Sequence, residues 1–303
     1  MKLIKKIKNI LNIHLCLEKA NKNLLFALKR EQLEYSAYNC KEKGVSEKLL
    51  CENEVVVSLT TFGSRIYDVY LAIESIMQGS IKPNHIILWL DESFKQKKLP
   101  EILRCQERRG LEICYCKDLR SYKKLIPSLK KYPEACIITI DDDVIYNRDI
   151  VENLVNSYIS NPKNIQANRI HKIVLNSQGK PISYMQWKWN HFDEKHKNLN
   201  FFTGIGGVLY PPHCFNEEVF NENVFMNICK YADDIWFFAM ALYNGVYISK
   251  SYTHSKCGQD YLLNEDVQEI GLSIFNAGVN GCRNDEQIKA VFDRYNLYNK
   301  LIK

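Results

Sequence analysis

The sequence predicts an α/β fold, a mixed sheet flanked by helices with a helical arm ahead of it, and three observations carry that prediction. From Glu54 to Ile140, short β-branched and apolar runs alternate with amphipathic segments, the order of strand–helix–strand units on a parallel sheet. Three of the runs are followed by acids, at Asp91, Asp118 and Asp141-Asp142-Asp143. A parallel sheet gathers such ends along one edge, where α/β proteins bind ligands. Ahead of Glu54 the chain is helical in pattern and basic.

Residues 2–15 place Leu3, Ile4, Ile7, Ile10, Leu11 and His14 at helical spacing, with Lys2, Lys5, Lys6 and Lys8 mostly opposite. A basic amphipathic helix of this kind is an anchor on an anionic membrane surface or a helix docked on protein. The helical pattern runs to about Tyr38, and Lys41–Leu50 reads as a polar linker. The chain therefore divides into an arm over residues 1–50 and a domain over 51–303, with halves at about 51–150 and 151–303. A domain with an appendage suits a length of 303 residues.

The first strand is Val55–Leu59, leading into Thr60-Thr61-Phe62-Gly63-Ser64-Arg65. A helix follows with Val69, Ala72, Ile73 and Ile76 on one side, and after Lys82-Pro83-Asn84 the strand Ile86–Leu90 ends at Asp91. A helical segment over 97–109 leads to the strand Leu111–Cys116, and another over 122–131 leads to Cys136–Ile140 and the three aspartates. In the second half, Tyr184–Asn190 reads as a strand with Trp187 and Trp189 on one face. The glycines of Phe201–Tyr210 precede a strand and Pro211-Pro212. A phosphate loop needs a helix start there, so that reading is excluded. Close approach of a ligand to backbone, or a bulge, remains. Asp233-Asp234 opens the long apolar run Ile235–Tyr243, which marks a helix amino terminus. The polar tail carries His254, then Asn284-Asp285-Glu286 before a last helix.

Composition excludes several function classes. Residues 1–50 carry eleven Lys or Arg against five Glu, which is the whole of the +6 net charge; residues 51–303 balance at thirty of each sign. A neutral domain argues against a broad polyanion-binding face, so no nucleic acid partner is expected. Eleven cysteines without a C-x-x-C pair argue against a zinc cluster and for reduced thiols. No secretory leader or spanning apolar stretch is evident. A cytoplasmic protein is expected, peripheral at most on the inner face of the membrane.

Three adjacent carboxylates after a buried-type strand repel one another. Mg²⁺ or Mn²⁺ removes that cost, since carboxylate oxygens are the ligands hard cations take; a solvated acidic turn is the alternative. The run Val55–Arg65, the Asp91 strand end, Asp141-Asp142-Asp143 and Ala232-Asp233-Asp234 together resemble the GT-A fold nucleotide-sugar glycosyltransferases. The likeness is to the family-2-like bacterial enzymes of surface polysaccharide synthesis, over about residues 54–245. The acidic cluster is similar to the D-x-D motif and Asp233-Asp234 to the pair carrying the catalytic base. The loop Thr60–Arg65 departs from that family's usual Pro and Asn, and Asp91-Glu92-Ser93 from its doubled Asp.

The resemblance implies a nucleotide-binding first half, an acceptor second half and a hexosyltransferase activity. Asp141 and Asp143 would hold Mn²⁺ or Mg²⁺, with His254 as a further ligand. Thr60, Arg65, Asp91, Lys124, Asp141 and Asp142 would line the nucleotide-diphosphate sugar, a UDP-sugar first among them. Asp142 is expected to point away without chemistry of its own. Asp234, or failing it Asp233, would take the proton of a hydroxyl on a glycan or lipid-linked acceptor, inverting the anomeric centre. Two rivals stand beside it. A haloacid-dehalogenase-type phosphatase with Asp141 as nucleophile also sets D-x-D after an apolar strand, but at least three strand segments precede the cluster here, Ile145 stands where Thr or Val is usual, and Asp233-Asp234 opens a helix. A non-catalytic glycan- or nucleotide-binding protein would not need that second pair.

Overall fold

The computed structural model describes residues 2–255, 260–264 and 282–302, and among their side chains those from Ile13 onward other than Leu15. The basic face expected on Lys2, Lys5, Lys6 and Lys8 therefore lies outside the described side chains. Helix α1 (Lys2–Asn39) runs for 38 residues. Among the described side chains, Leu33 and Ala37 of its last turns enter the core and Phe26 packs against it, whereas Leu17, Leu24 and Leu28 stand exposed. Arg30 pairs with Asp68 (2.9 Å), and the Tyr70 hydroxyl donates to Glu34 (3.1 Å).

The domain then builds β1 (Val55–Thr60), α2 (Tyr70–Met77), β2 (His85–Asp91), α3 (Glu101–Arg108), β3 (Leu111–Cys116), α4 (Ile126–Lys131) and β4 (Cys136–Thr139). The second half adds β5 (Val144–Tyr146), α5 (Ile150–Ser160), β6 (Ile165–Ala167), β7 (Ile170–Lys172), β8 (Asn200–Phe202) and β9 (Val208–Tyr210). It closes with α6 (Glu222–Ile228), α7 (Asp233–Tyr243), β10 (Ile248–Lys250), β11 (Tyr261–Leu263), α8 (Arg283–Tyr295) and α9 (Tyr298–Leu301). Seven strands form one mixed sheet in the order β10-β6-β9-β4-β1-β2-β3, with β9 antiparallel to both its neighbours and the other pairs parallel. Two antiparallel pairs, β5 with β11 and β7 with β8, stand apart from it.

Strand alternation sorts the core onto the two faces of the sheet. Val55, Val57 and Leu59 point to α2, α3, α5 and the end of α1; Val56, Ile87 and Ile137 point to the side of α7 and α8. Helix α2 is buried all round, because the end of α1 covers the side the sequence pattern leaves for solvent. Burial there includes Glu74, held by Arg109 (2.8 Å to both carboxylate oxygens), Gln106 (3.0 Å) and Gln78 (2.9 Å).

Three sequence expectations change. The helix expected over 97–109 starts at Glu101, after Pro100. The one expected over 122–131 is split into a 3-10 turn at Arg120–Lys124 and α4, since Pro127 has no N–H and suits only the first turn of a new helix. The strand expected at Tyr184–Asn190 is a 3-10 turn over Tyr184–Gln186 followed by a single bridge at Lys188. Trp187 and Trp189 consequently part, the first buried and the second 45% exposed.

The sheet topology places the site. β2 and β3 extend from one side of β1, and β4 lies on the other. Where strand order reverses in this way, a crevice opens beyond the carboxyl ends of the two central strands. The residues following β1 and β4 are Thr61–Arg65 and Asp141–Asp143.

Candidate active site

Beyond β1, the Thr61 hydroxyl donates to Asp142 Oδ2 at 2.6 Å. Gly63, at φ +55°, starts a 3-10 turn that carries Arg65 back over the crevice, a backbone shape glycine adopts without steric cost. Arg65 Nη1 donates to Asp142 Oδ1 (2.9 Å) and lies 3.2 Å from Asp143 Oδ2. Asp142 is thus buried and shares a guanidinium with Asp143, which corrects the expectation that it points away. A short strand end cannot send three consecutive carboxylates to solvent when a cation and a hydroxyl from the next strand reach in beneath them.

On the other side of the aspartates stands Lys124. Its Nζ is 2.9 Å from Asp141 Oδ1 and 3.1 Å from Asp233 Oδ2, so one ammonium joins the end of β4 to the start of α7. The lysine backbone is fixed by a buried polar chain: Trp89 Nε1 donates to Ser128 Oγ (2.7 Å), which pairs with Ser58 Oγ (2.7 Å), which donates to Lys124 O (2.6 Å). Asp234 Oδ2 accepts from the Gly204 N–H at 2.9 Å. A Cβ on Gly204 would stand 2.9 Å from Lys124 Nζ and 3.0 Å from Asp234 Oδ1; the glycine lets the cation and the carboxylate pass against its backbone without either being displaced. The Tyr146 hydroxyl accepts from the Asp141 N–H (2.9 Å) and donates to Ile205 O (3.1 Å), tying that glycine segment to the aspartates.

The electrostatics follow from these contacts. Burial alone would lower the Lys124 ammonium, but Asp141, Asp233 and Asp234 outweigh it and hold it well above its ordinary value. Burial pushes Asp143 up to about 6, with the charges of Asp141 and Asp142 adding and Arg65 opposing. Burial and then Asp233 push Asp234 up to about 7 against Lys124 and the Gly204 N–H. Asp142 is also raised by burial, with Arg65 and Thr61 opposing. Asp234 Oδ1 is covered and has no hydrogen-bond donor among the described residues. Among the described residues, five carboxylates thus crowd around two cations, Lys124 and Arg65, and the excess is negative.

That excess decides whether a divalent cation fits. All the donors are carboxylate oxygens, the set Mg²⁺ and Mn²⁺ take, and such ions use one or two protein carboxylates together with substrate phosphates and water. Among the described residues no three His, Cys, Asp or Glu side chains form a group that holds a metal. The residues therefore fit an ion that completes its shell with a phosphate ligand, on Asp141 and Asp143. His254 is not brought to the aspartates: its Nε2 faces Asp149 Oδ2 at 2.5 Å, at the start of α5.

Asp91 lies at the end of β2, one strand from Thr60, and accepts from the Ser93 N–H (3.0 Å). Buried Lys123 sits 4.0 Å from Asp91 Oδ2 and 2.7 Å from Asp118 Oδ1. Thr60 itself donates to Trp89 O (2.8 Å). Thr61, Lys123 and Tyr146 are the residues sequence reasoning passed over, whereas Gly204 belongs to the glycine run read as a close approach to backbone or a bulge. Thr61 carried a signal, at a strand end; Tyr146 and Lys123 carried none.

No family model matches the chain, and no curated relative matches it. Among solved structures, a CMP:2-keto-3-deoxy-manno-octonic acid synthetase complexed with CTP is similar at 11% identity and TM-score 0.37, over 65% of this chain and 88% of that one. A mannosyltransferase from Pyrobaculum calidifontis in complex with GDP-Man and Mn²⁺ is similar at 12% and 0.43, over 76% and 64%. S. aureus TarS 1-349 is similar at 14% and 0.45, over 80% and 71%. Overlaps of this size carry no functional weight; the site residues must carry it.

Proposed function

We propose that the chain transfers a sugar from a nucleotide-diphosphate sugar to a hydroxyl of a glycan or lipid-linked acceptor, with inversion. The observation that carries this reading is Lys124, one buried ammonium shared by Asp141 beyond β4 and Asp233 at the start of α7. It links a carboxylate cluster suited to a metal-bound diphosphate with a second carboxylate pair suited to proton removal.

The proposed roles follow from the contacts. Thr60 and Asp91, along the same sheet edge, meet the nucleoside. Arg65 and Lys124 stabilise the negative charge that develops on the departing diphosphate. Bound on Asp141 and Asp143, Mn²⁺ or Mg²⁺ would supply further Lewis-acid stabilisation. Asp142 holds Arg65 in place. Asp234, raised to about 7 and partly exposed, takes the acceptor proton; Asp233 is committed to Lys124. A base titrating close to neutral pH suits that task. His254 would have to leave Asp149 to serve the metal. Action on a surface polysaccharide at the inner membrane face, with residues 2–15 as the anchor, belongs to the same proposal. No helix among the described residues is long and apolar enough to cross a membrane.

A thermal-shift panel of UDP, GDP, CDP and TDP with and without Mn²⁺ tests it. One nucleotide, UDP by this reading, is expected to raise Tm only with the metal, since a ligand bound by the native state alone stabilises it. No response to any nucleotide, with phosphate release from a monoester lost in Asp141→Asn, would instead favour a phosphatase.

A further inference from the structure

Beside Asp234 lies a group of side chains that the proposed donor chemistry does not use. The Gly204 N–H holds Asp234, and Thr203, next to it, accepts at its hydroxyl from Arg169 Nη1 (3.1 Å). Arg169 Nε donates to Asn190 Oδ1 (3.0 Å), and its guanidinium carbon lies 6.0 Å from the centre of the Trp189 ring. Trp189 rests on His171, ring centres 5.0 Å apart, and leans on Tyr184 at 5.9 Å. Tyr184 closes the circuit: after burial, the charge of Asp234 pushes its phenol up while Arg169 pulls it down, so both charges act on one hydroxyl.

Three properties of this group point to a ligand. Trp189 is 45% exposed although it is stacked on His171 and leaned on by Tyr184, so an apolar surface is held still with part of it open to solvent. Its support is a neutral ring, because burial and then Arg169 pull His171 down to about 4; the platform itself repels no cation or anion. Arg169 binds only neutral oxygens, and no carboxylate pairs with it among the described residues. Surface arginines that are locked in place by hydrogen bonds yet lack a counter-ion keep a charge and a planar fork for an oxyanion. Aromatic faces with a polar partner stack on the apolar face of a sugar ring.

We infer that Trp189 and Arg169 form an acceptor subsite, in which a saccharide stacks on Trp189 and an anionic substituent of it, a carboxylate or a phosphate, is held by Arg169. This rests on Asp234 as the base of the reading above and adds the acceptor's chemical class. The acceptor is an acidic saccharide, its hydroxyl delivered towards Asp234 along Thr203 and Gly204.

The test needs no turnover. The full chain is titrated by calorimetry with a glucuronic-acid disaccharide, its neutral glucose counterpart and a phosphorylated glucose disaccharide. At least one anionic sugar is expected to bind about tenfold tighter than the neutral one, as a hydrogen-bonded charge pair supplies, and the tighter of the two identifies carboxylate or phosphate. Arg169→Gln is expected to bring the anionic sugars to the neutral level. Arg169→Lys, which keeps the charge without the fork, should keep only part of the preference. Trp189→Ala should weaken all three sugars. Equal binding of neutral and anionic sugars, binding of none, a preference that survives Arg169→Gln, or unchanged affinity in Trp189→Ala overturns the inference. The nucleotide thermal shift is read in parallel: its absence in the unaltered chain removes the glycosyltransferase reading, while the saccharide titration still reports on Trp189 and Arg169.

Discussion

Around Glu74, between α2 and α3, both carboxylate oxygens have donors from Arg109, with Gln78 and Gln106 completing the set, and the guanidinium goes on to bind Glu42 O at 2.8 Å. Around Lys124, at the sheet edge, two cations serve five carboxylates, Asp234 Oδ1 has no donor among the described residues, and Asp143 and Asp234 are pushed up to about 6 and about 7. Both clusters are largely buried. The first has satisfied its charges internally and therefore asks nothing of a ligand. The second keeps like charges together with fewer donors than acceptors among the described residues, a cost that a bound cation would relieve.

The comparison can be broken in several ways. The largest effect is expected from Asp234→Asn, which should lower transfer by about 10²–10⁴-fold in initial-rate measurements while leaving the metal-dependent nucleotide shift in place. Retained transfer would remove Asp234 as the base. Next, Arg109→Met strands the Glu74 charge and is expected to cost about 3–5 kcal/mol in urea unfolding. Asp143→Asn, by contrast, removes a repelled charge and should leave Tm equal or higher while weakening the Mn²⁺ response. A loss of stability in Asp143→Asn as large as that in Arg109→Met would erase the distinction between the clusters.

Proton linkage sharpens it further. Asp143 and Asp234 have folded-state values above that of an unfolded Asp, near 3.9, so the native state binds the extra protons. Their contribution to stability is full below that unfolded value and is lost as pH rises through about 6 and about 7. Between those limits, stability without ligand should fall with pH more steeply in the unaltered chain than in Asp234→Asn. Transfer should move the other way, rising with pH through about 7 as the base ionises. The smallest effect concerns the arm: sedimentation with liposomes should need anionic lipid, weaken with salt and be absent in a chain beginning at Lys41.

Much of the fold was legible because it rests on local periodicity. β1 to β4 read as apolar runs, their acids mark the carboxyl edge, and Asp233-Asp234 announce α7 through composition alone. What was not legible depends on partners distant in sequence. Asp142 turns inward because Thr61 and Arg65 lie beneath it. Tyr146 holds Asp141 only because Ile205 lies within its reach, and the separation of Trp187 from Trp189 depends on a 3-10 turn with no strong local signal. Pairing of Lys124 with both acidic groups is the clearest case: its neighbours in sequence say nothing of Asp233.

One contact of α1 acquires a mechanical meaning from this. Arg30 grips Asp68 (2.9 Å), and Asp68 directly follows the turn Gly63–Tyr67 that carries Arg65. The long helix is therefore fastened, near its carboxyl end, to the residue that closes the loop over the acidic edge. The turn that presents Arg65 to Asp142 and Asp143 thus has one of its anchors outside the sheet, on α1.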